Sequence, residues 1–304
     1  MIKRALIATV YNEADNLSRW WECLMRQTVL PEEIVIVDGG SKDGTWEQLQ
    51  KLAATSHTKV KVDQHRCNIA EGRNRAIALT DAEIIAATDA GSFPEPAWFD
   101  EITRPLLEDQ TIDVTGGLNV CDTAAGFQKF LTQFEAAQET GVSQDEINPS
   151  SRNTAYRRQA WSDVGGYPEW LTLAAEDLLF TQQLNRIRKK IVFNPRAVVH
   201  WSVRDTEKAY FKLLYRNAYG AAEAQSCWPD FRRRIILSLC PPLLLLSRHR
   251  FRHLRFRYLR NFYGAYGWVA GKLSGRRPPP GWQQIAGMLL SPQTQKHLLA
   301  QKRT

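Results

Sequence analysis

The sequence predicts an α/β fold built on a mostly parallel central sheet flanked by helices, followed by a helical, basic C-terminal extension. Three observations carry this. Apolar strand-like runs alternate with helical segments through the first 90 residues. A polar cluster follows each of the three strand-like runs Arg4–Val10, Glu33–Asp38 and Ile84–Ala87. The last third changes composition, holding nineteen Lys and Arg against four acidic residues from Trp201 onward.

Each element has its own signal. Arg4 to Val10 (RALIATV) reads as a buried strand, and Tyr11-Asn12-Glu13 as the turn after it. Asp15 or Asn16 is a candidate cap for a helix over Leu17–Gln27, along which Trp20, Leu24 and Gln27 are spaced. Glu33–Asp38 (EIVIVD) is the next strand. Asp43-Gly44-Thr45 opens a helix through Ala54, and Val60–Val62 is a short strand. Ala70–Leu79 is helical, and Ile84–Ala87 is a strand ending at Thr88-Asp89. In such sheets ligands bind beyond the carboxyl ends of the strands, so the polar clusters form one candidate site.

With 304 residues, 43% hydrophobic and 24% charged, the chain is long enough for a large packed core. Its net charge of +8 divides into +15 for residues 201–304 and −7 for residues 1–200. The basic end is suited to an anionic partner. Five cysteines without CxxC spacing argue against a zinc site or a disulfide framework and fit a reducing cytoplasm. No signal-peptide pattern is read at the N-terminus. The longest apolar run, Ile235–Leu246, has twelve residues and is interrupted by Pro241-Pro242, too short for a bilayer core of roughly 30 Å.

Four segments carry the chemistry: Thr9–Glu13, Val37–Thr45, Asn68–Ala76 and Thr88–Gly91. A carboxylate at a strand end accepts hydrogen bonds from a nucleobase N–H or a ribose hydroxyl. An Arg on the next helix neutralises a diphosphate. A second carboxylate holds a divalent ion bridging the phosphates. Downstream, Ser151–Arg158 precedes Gly165-Gly166-Tyr167-Pro168-Glu169, and Glu176-Asp177 opens a helix.

In order and spacing, from about Arg4 to about His200, these segments resemble the inverting family 2 glycosyltransferases of the GT-A fold. The resemblance implies that Asn12, Glu13, Asp38, Arg73, Asp89 and Glu176 bind substrate. In it Asp38 contacts the base of a nucleotide-sugar, Arg73 lies near base and phosphates, and Asp177 is the catalytic base. It implies an Asp-x-Asp metal motif, here Asp89-Ala90-Gly91, whose second carboxylate is missing. It places His200 as a second metal contact, so that Mg²⁺ or Mn²⁺ would be weakly held. Asp38-Gly39-Gly40-Ser41 also lacks one carboxylate of the family's common pattern. No Gln-x-x-Arg-Trp signature of processive synthases follows Asp177, which favours transfer of a single sugar.

The expectation is therefore a metal-assisted glycosyltransferase with a nucleotide-sugar donor, acting in cell-envelope glycan or glycolipid synthesis. Residues 1–220 form the catalytic domain and 221–304 a basic, aromatic, membrane-associating extension. Arg232–Arg234 before the apolar run, and Arg248–Arg260 interleaved with aromatics after it, read as an interfacial anchor on an anionic leaflet. That would hold the chain on the cytoplasmic face, near a lipid-linked or envelope-precursor acceptor. The segment resembles no nucleic-acid module, and a nucleic-acid partner is not expected. A non-catalytic nucleotide-sugar-binding partner is the alternative. A nucleotidyltransferase or dinucleotide oxidoreductase would need a glycine-rich loop where Tyr11-Asn12-Glu13-Ala14 stands.

Overall fold

The computed structural model of the chain describes residues 2–122, 126–136, 149–225, 228–241, 253–276 and 279. They divide into two compact units, Met1–Glu169 with Glu176–Val203, and Trp170–Ala175 with Arg204–Thr304. The division falls at Val203/Arg204 rather than at the expected residue 220, which lies inside a helix of the second unit.

The first unit opens with β1 (Arg4–Val10), α1 (Ala14–Met25), β2 (Glu33–Asp38), α2 (Thr45–Ala54), β3 (Val60–Gln64), α3 (Ile69–Ala78) and β4 (Ile84–Ala87). It continues with β5 (Ser92–Pro94), α4 (Trp98–Glu108), β6 (Val114–Asp122), α5 (Gly126–Ala136), β7 (Thr154–Arg157), α6 (Arg158–Asp163), α7 (Glu176–Arg186) and β8 (Ile191–Ser202). The strands form one sheet in the order β3-β2-β1-β4-β7-β6-β8-β5. The first four strands are mutually parallel, as is the β6–β8 pair. Strands β7 and β5 run antiparallel to their neighbours.

Strand β1 is apolar along its length because both faces of the sheet are covered. Leu6, Ala8 and Val10 pack with Trp20, Ile34, Ile36 and Trp98 on one side. Ala5 and Ile7 pack with Val35, Ile77, Tyr156 and Phe180 on the other. This double layer fixes the strand tips, Val10, Asp38 and Ala87, at one edge of the sheet.

Helix α1 starts at Ala14, three residues before the expected Leu17, and neither Asp15 nor Asn16 caps it. Its first free amides are satisfied from the neighbouring loop. The Ala14 amide donates to Asp43 Oδ2 at 3.1 Å, and the Glu13 amide to Thr45 Oγ1 at 2.9 Å. The helix ends before Gln27, whose side-chain amide donates to the carbonyls of Cys23 and Glu95. Helix α3 carries a capping box between Asn68 and Glu71.

The second unit contains α8 (Glu207–Glu223), α9 (Trp228–Leu239) and α10 (Leu254–Leu273). Helices α8 and α10 meet backbone to backbone. A Cβ added at Gly267 would stand 2.3 Å from the Tyr215 carbonyl oxygen, which explains glycine there. Phe211 stacks on Tyr263 at 5.0 Å between the ring centroids, and Tyr210 on Phe256 at 5.5 Å. Phe262, Tyr266, Val269 and Leu273 form an exposed stripe on α10 at helical spacing. Among the described residues, no helix is long and apolar enough to cross a membrane. Part of the predicted anchor (Pro242–Leu246, Arg248, Arg250, Phe251 and Arg252) lies outside the described residues.

Candidate active site

The tips of β1 and β2 are tied together by their own loops. Asn12 has a left-handed backbone, with φ of 53°. Its amide donates to Ser41 Oγ at 2.8 Å, and its Oδ1 accepts from the Lys42 amide at 3.0 Å. Asp38 is fully buried at the end of β2. It accepts from the Ser41 amide and hydroxyl, and from Gln64 Nε2 at 2.7 Å. Burial pushes the Asp43 carboxyl up, but hydrogen bonds from Thr45 and the Ala14 amide outweigh it and hold it below its usual range. Tyr11, beside these groups, is 59% exposed.

The centre of the site is Arg73 on α3. Only 4% of it is exposed, and its two terminal nitrogens reach different carboxylates: Glu176 Oε1 at 2.5 Å and Asp89 Oδ1 at 3.1 Å. Its guanidinium carbon lies 5.5 Å from the centroid of the Tyr167 ring. Burial opposes the charge on Arg73, but Glu176, Asp89 and Asp177 outweigh it and keep the guanidinium firmly protonated. For Glu176, burial dominates and pushes the carboxyl above its usual range. Arg73 pulls it back, and the Asp177 charge adds to the rise.

Asp177 stands in the first turn of α7. Its Oδ1 accepts from the Leu178 amide at 2.8 Å, and its Oδ2 faces the hydroxyl and amide of Ser151 at 3.3 and 3.5 Å. It lines a small cavity with Ser151, Thr154, Tyr167 and Phe180. Burial pushes the Tyr167 hydroxyl up to about 12, so it stays neutral. The turn before Tyr167 is held by Asn74, whose Oδ1 accepts from the Tyr167 amide and from Trp161 Nε1. Gly166 takes φ of 84° against that amide group, a backbone that L side chains rarely adopt.

Three of the expected site residues already have partners within the protein. Arg73, expected to neutralise a diphosphate, is already neutralised inside the protein. Asp38, expected to read the base, already accepts three hydrogen bonds. His200 is likewise engaged within the protein. In the β5–β8 pairing His200 lies opposite Phe93, four residues beyond Asp89. Its Nδ1 meets Asp122 Oδ1 at 2.8 Å and its Nε2 meets Glu95 Oε1 at 3.0 Å. Those two carboxylates raise its pKa.

Among the described residues, no group of three or more His, Cys, Asp or Glu side chains could hold a metal. Asp89 keeps 35% of its side chain exposed, with Arg73 on one oxygen. A single carboxylate fits an ion that arrives with a diphosphate, as Mg²⁺ commonly does, and not one held by protein alone. The sequence marks the segments that hold Tyr167, Ser151 and Arg152 but gives those three residues no role of their own. The Gly-Gly-Tyr spacing marked the turn but not the ring beneath Arg73.

A parallel βα half, with strand-tip loops and carboxylates gathered at one sheet edge, is the architecture of the GT-A fold. The sequence model for Glycosyl transferase family 2 matches residues 5–165, more than half of the chain, and the chain belongs to that family. The model for Glycosyl transferase family group 2 matches residues 87–276. Among curated relatives, the chain is 25% identical over 243 residues to the O-antigen chain rhamnosyltransferase RfbN of Salmonella typhimurium, covering 75% of this chain and 74% of that one. It is 24% identical over 230 residues to the glycosyltransferase AglE of Haloferax volcanii, covering 73% and 67%.

Two solved structures share the fold at 18% identity. The mannosyltransferase PcManGT from Pyrobaculum calidifontis, in complex with GDP-Man and Mn²⁺, aligns with a TM-score of 0.55 over 99% of this chain and 84% of that one. Residues 1–349 of S. aureus TarS, in complex with UDP, align with a TM-score of 0.53 over 89% and 92%. The chain spans 55% of the longer S. aureus TarS structure.

Proposed function

We propose that this glycosyltransferase moves a single sugar from a nucleotide-diphosphate sugar to an acceptor hydroxyl with inversion, in cell-envelope glycan or glycolipid synthesis. The observation that carries the reading is the buried Arg73, which joins Asp89 on the donor side to Glu176, the neighbour of Asp177. Asp177 takes the proton of the acceptor hydroxyl, whose oxygen attacks the anomeric carbon from the face opposite the diphosphate. The bond from that carbon to the phosphate oxygen breaks, and the nucleoside diphosphate leaves. Asn12, Glu13 and Asp38 shape the nucleotide loop, Asp38 by fixing Ser41 and Gln64.

A divalent cation, Mg²⁺ or Mn²⁺, would be held by Asp89 and the diphosphate and would stabilise the leaving charge. The named ligands of the two solved neighbours, GDP-Man with Mn²⁺ and UDP, support this donor class. The name of the O-antigen relative supports the envelope role. The basic C-terminal unit, with its apolar stripe on α10, supports docking on the anionic inner face of the membrane near a lipid-linked acceptor.

The test is Asp177→Asn in a transfer assay across UDP-, GDP- and dTDP-sugars. Transfer is expected to fall about 100-fold or more, with nucleotide binding unchanged. Undiminished transfer would refute the base assignment.

A further inference from the structure

The side of the site next to Asp177 holds a cation that the reaction as described leaves unused. Ser151 faces Asp177, and the residue beside it is Arg152. The guanidinium carbon of Arg152 lies 4.4 Å from the centroid of the Trp201 ring on β8. Its backbone amide meets the Ser150 hydroxyl at 3.5 Å. Its guanidinium has no carboxylate partner among the described residues, although two carboxylates contact His200, the residue next to its platform.

Topology explains that isolation. His200 and Trp201 are successive residues of one strand, so their side chains leave opposite faces of the sheet. Glu95 and Asp122 gather on His200. Arg152 therefore shares the face of Trp201, away from them. A guanidinium packed by its face on an aromatic ring keeps its N–H edge available, and that edge matches a phosphate or carboxylate.

The backbone under Arg152 is rigid. Asn153 is fully buried and accepts from Trp98 Nε1 at 2.8 Å. It donates to the carbonyls of Leu118 and Ala197 at 2.9 and 3.0 Å. Its own amide closes the turn on the Ser150 carbonyl at 2.8 Å, and its carbonyl accepts from the Gly117 amide. A charge held on such a support loses little conformational freedom on binding.

We propose that Arg152 binds an anionic group of the acceptor, so that the sugar is passed to a hydroxyl lying near a phosphate or carboxylate. Arg152 is then the residue that separates charged acceptors from neutral ones. The proposal rests on Asp177 acting as the base, because it is the contact between Ser151 and Asp177 that puts Arg152 on the acceptor side. The donor diphosphate is the other source of an oxyanion, and the experiment separates the two.

The full-length chain is first saturated with UDP or GDP, whichever binds, so that the donor diphosphate site is filled. It is then titrated calorimetrically with the 1-phosphates of glucose, mannose, galactose and rhamnose, and with the matching methyl glycosides. At least one hexose 1-phosphate is expected to bind about 10-fold or more tightly than its glycoside, the scale of one charge-assisted contact. Arg152→Ala is expected to remove that preference and Arg152→Lys to keep part of it, with nucleotide affinity unchanged in both.

The proposal is overturned if no phosphate is preferred, or if Arg152→Ala binds the phosphate as wild type does. It is also overturned if the substitution weakens nucleotide binding instead, which would place Arg152 on the donor. A catalytically active Asp177→Asn would sink the base assignment without touching these titrations, so the two failures are distinguishable.

Discussion

Replacing Arg73 by alanine removes the guanidinium and leaves Glu176, whose side chain is 9% exposed, without its counter-charge. Breaking a buried ion pair from one side costs about 3–5 kcal/mol, because the remaining charge is stranded. For a unit of this size that is a fall in Tm on the order of 10 °C. The loss should depend on pH. Burial and Asp177 already push the Glu176 carboxyl upward, and without Arg73 only a backbone hydrogen bond pulls it back. Its folded pKa then lies above its unfolded value near 4.3, so the native state binds the extra proton. Native stability is retained at acid pH and falls as pH rises between the two values. Thermal unfolding followed by circular dichroism should show Arg73→Ala closest to wild type near pH 5 and furthest from it at pH 8. A variant within about 1 kcal/mol of wild type at pH 8 would mean that Arg73 does not neutralise Glu176.

Further outcomes follow from single contacts. Asn153→Ala leaves the Trp98 indole N–H and two backbone carbonyls without their partner, and should destabilise the first unit by about 3 kcal/mol in denaturant unfolding. Gly267→Ala drives a methyl into the Tyr215 carbonyl and should cost at least about 2 kcal/mol. Faster proteolysis within α8 and α10 than in the strands is the readout. Glu95 and Asp122 raise the His200 pKa above its usual value of about 6.5. The stability it contributes is fully present below that value and disappears as pH rises through the folded pKa. The Tm gap between wild type and His200→Gln should therefore be wider at pH 6 than at pH 8.5.

The parallel half of the fold was legible because each βα unit is local. Strand β2 is an unbroken apolar run closed by Asp38-Gly39-Gly40, and its ends agree with the sequence reading residue for residue. Strand β5 has three residues and pairs with β8 about a hundred positions away, so its antiparallel direction leaves no local mark. The start of α1 differs from the sequence reading for the same reason, since the Ala14 amide finds its acceptor on Asp43, in another loop. At the site, residue types were readable and their engagement was not. Arg73 stands 103 positions from Glu176, and nothing near either residue announces the pair. The expectation of His200 at a metal rests on its position in the chain, and its contacts with Glu95 and Asp122, 105 and 78 positions away, leave no local mark.

The position of a bound nucleotide is the decisive observation. A crystal structure with UDP or GDP and Mn²⁺ should place the base beside Tyr11 and the loop of Asp38–Ser41. The diphosphate and its ion should lie on the exposed oxygen of Asp89, with open space toward Asp177. A nucleotide bound elsewhere, or a diphosphate remote from Asp89, would contradict it.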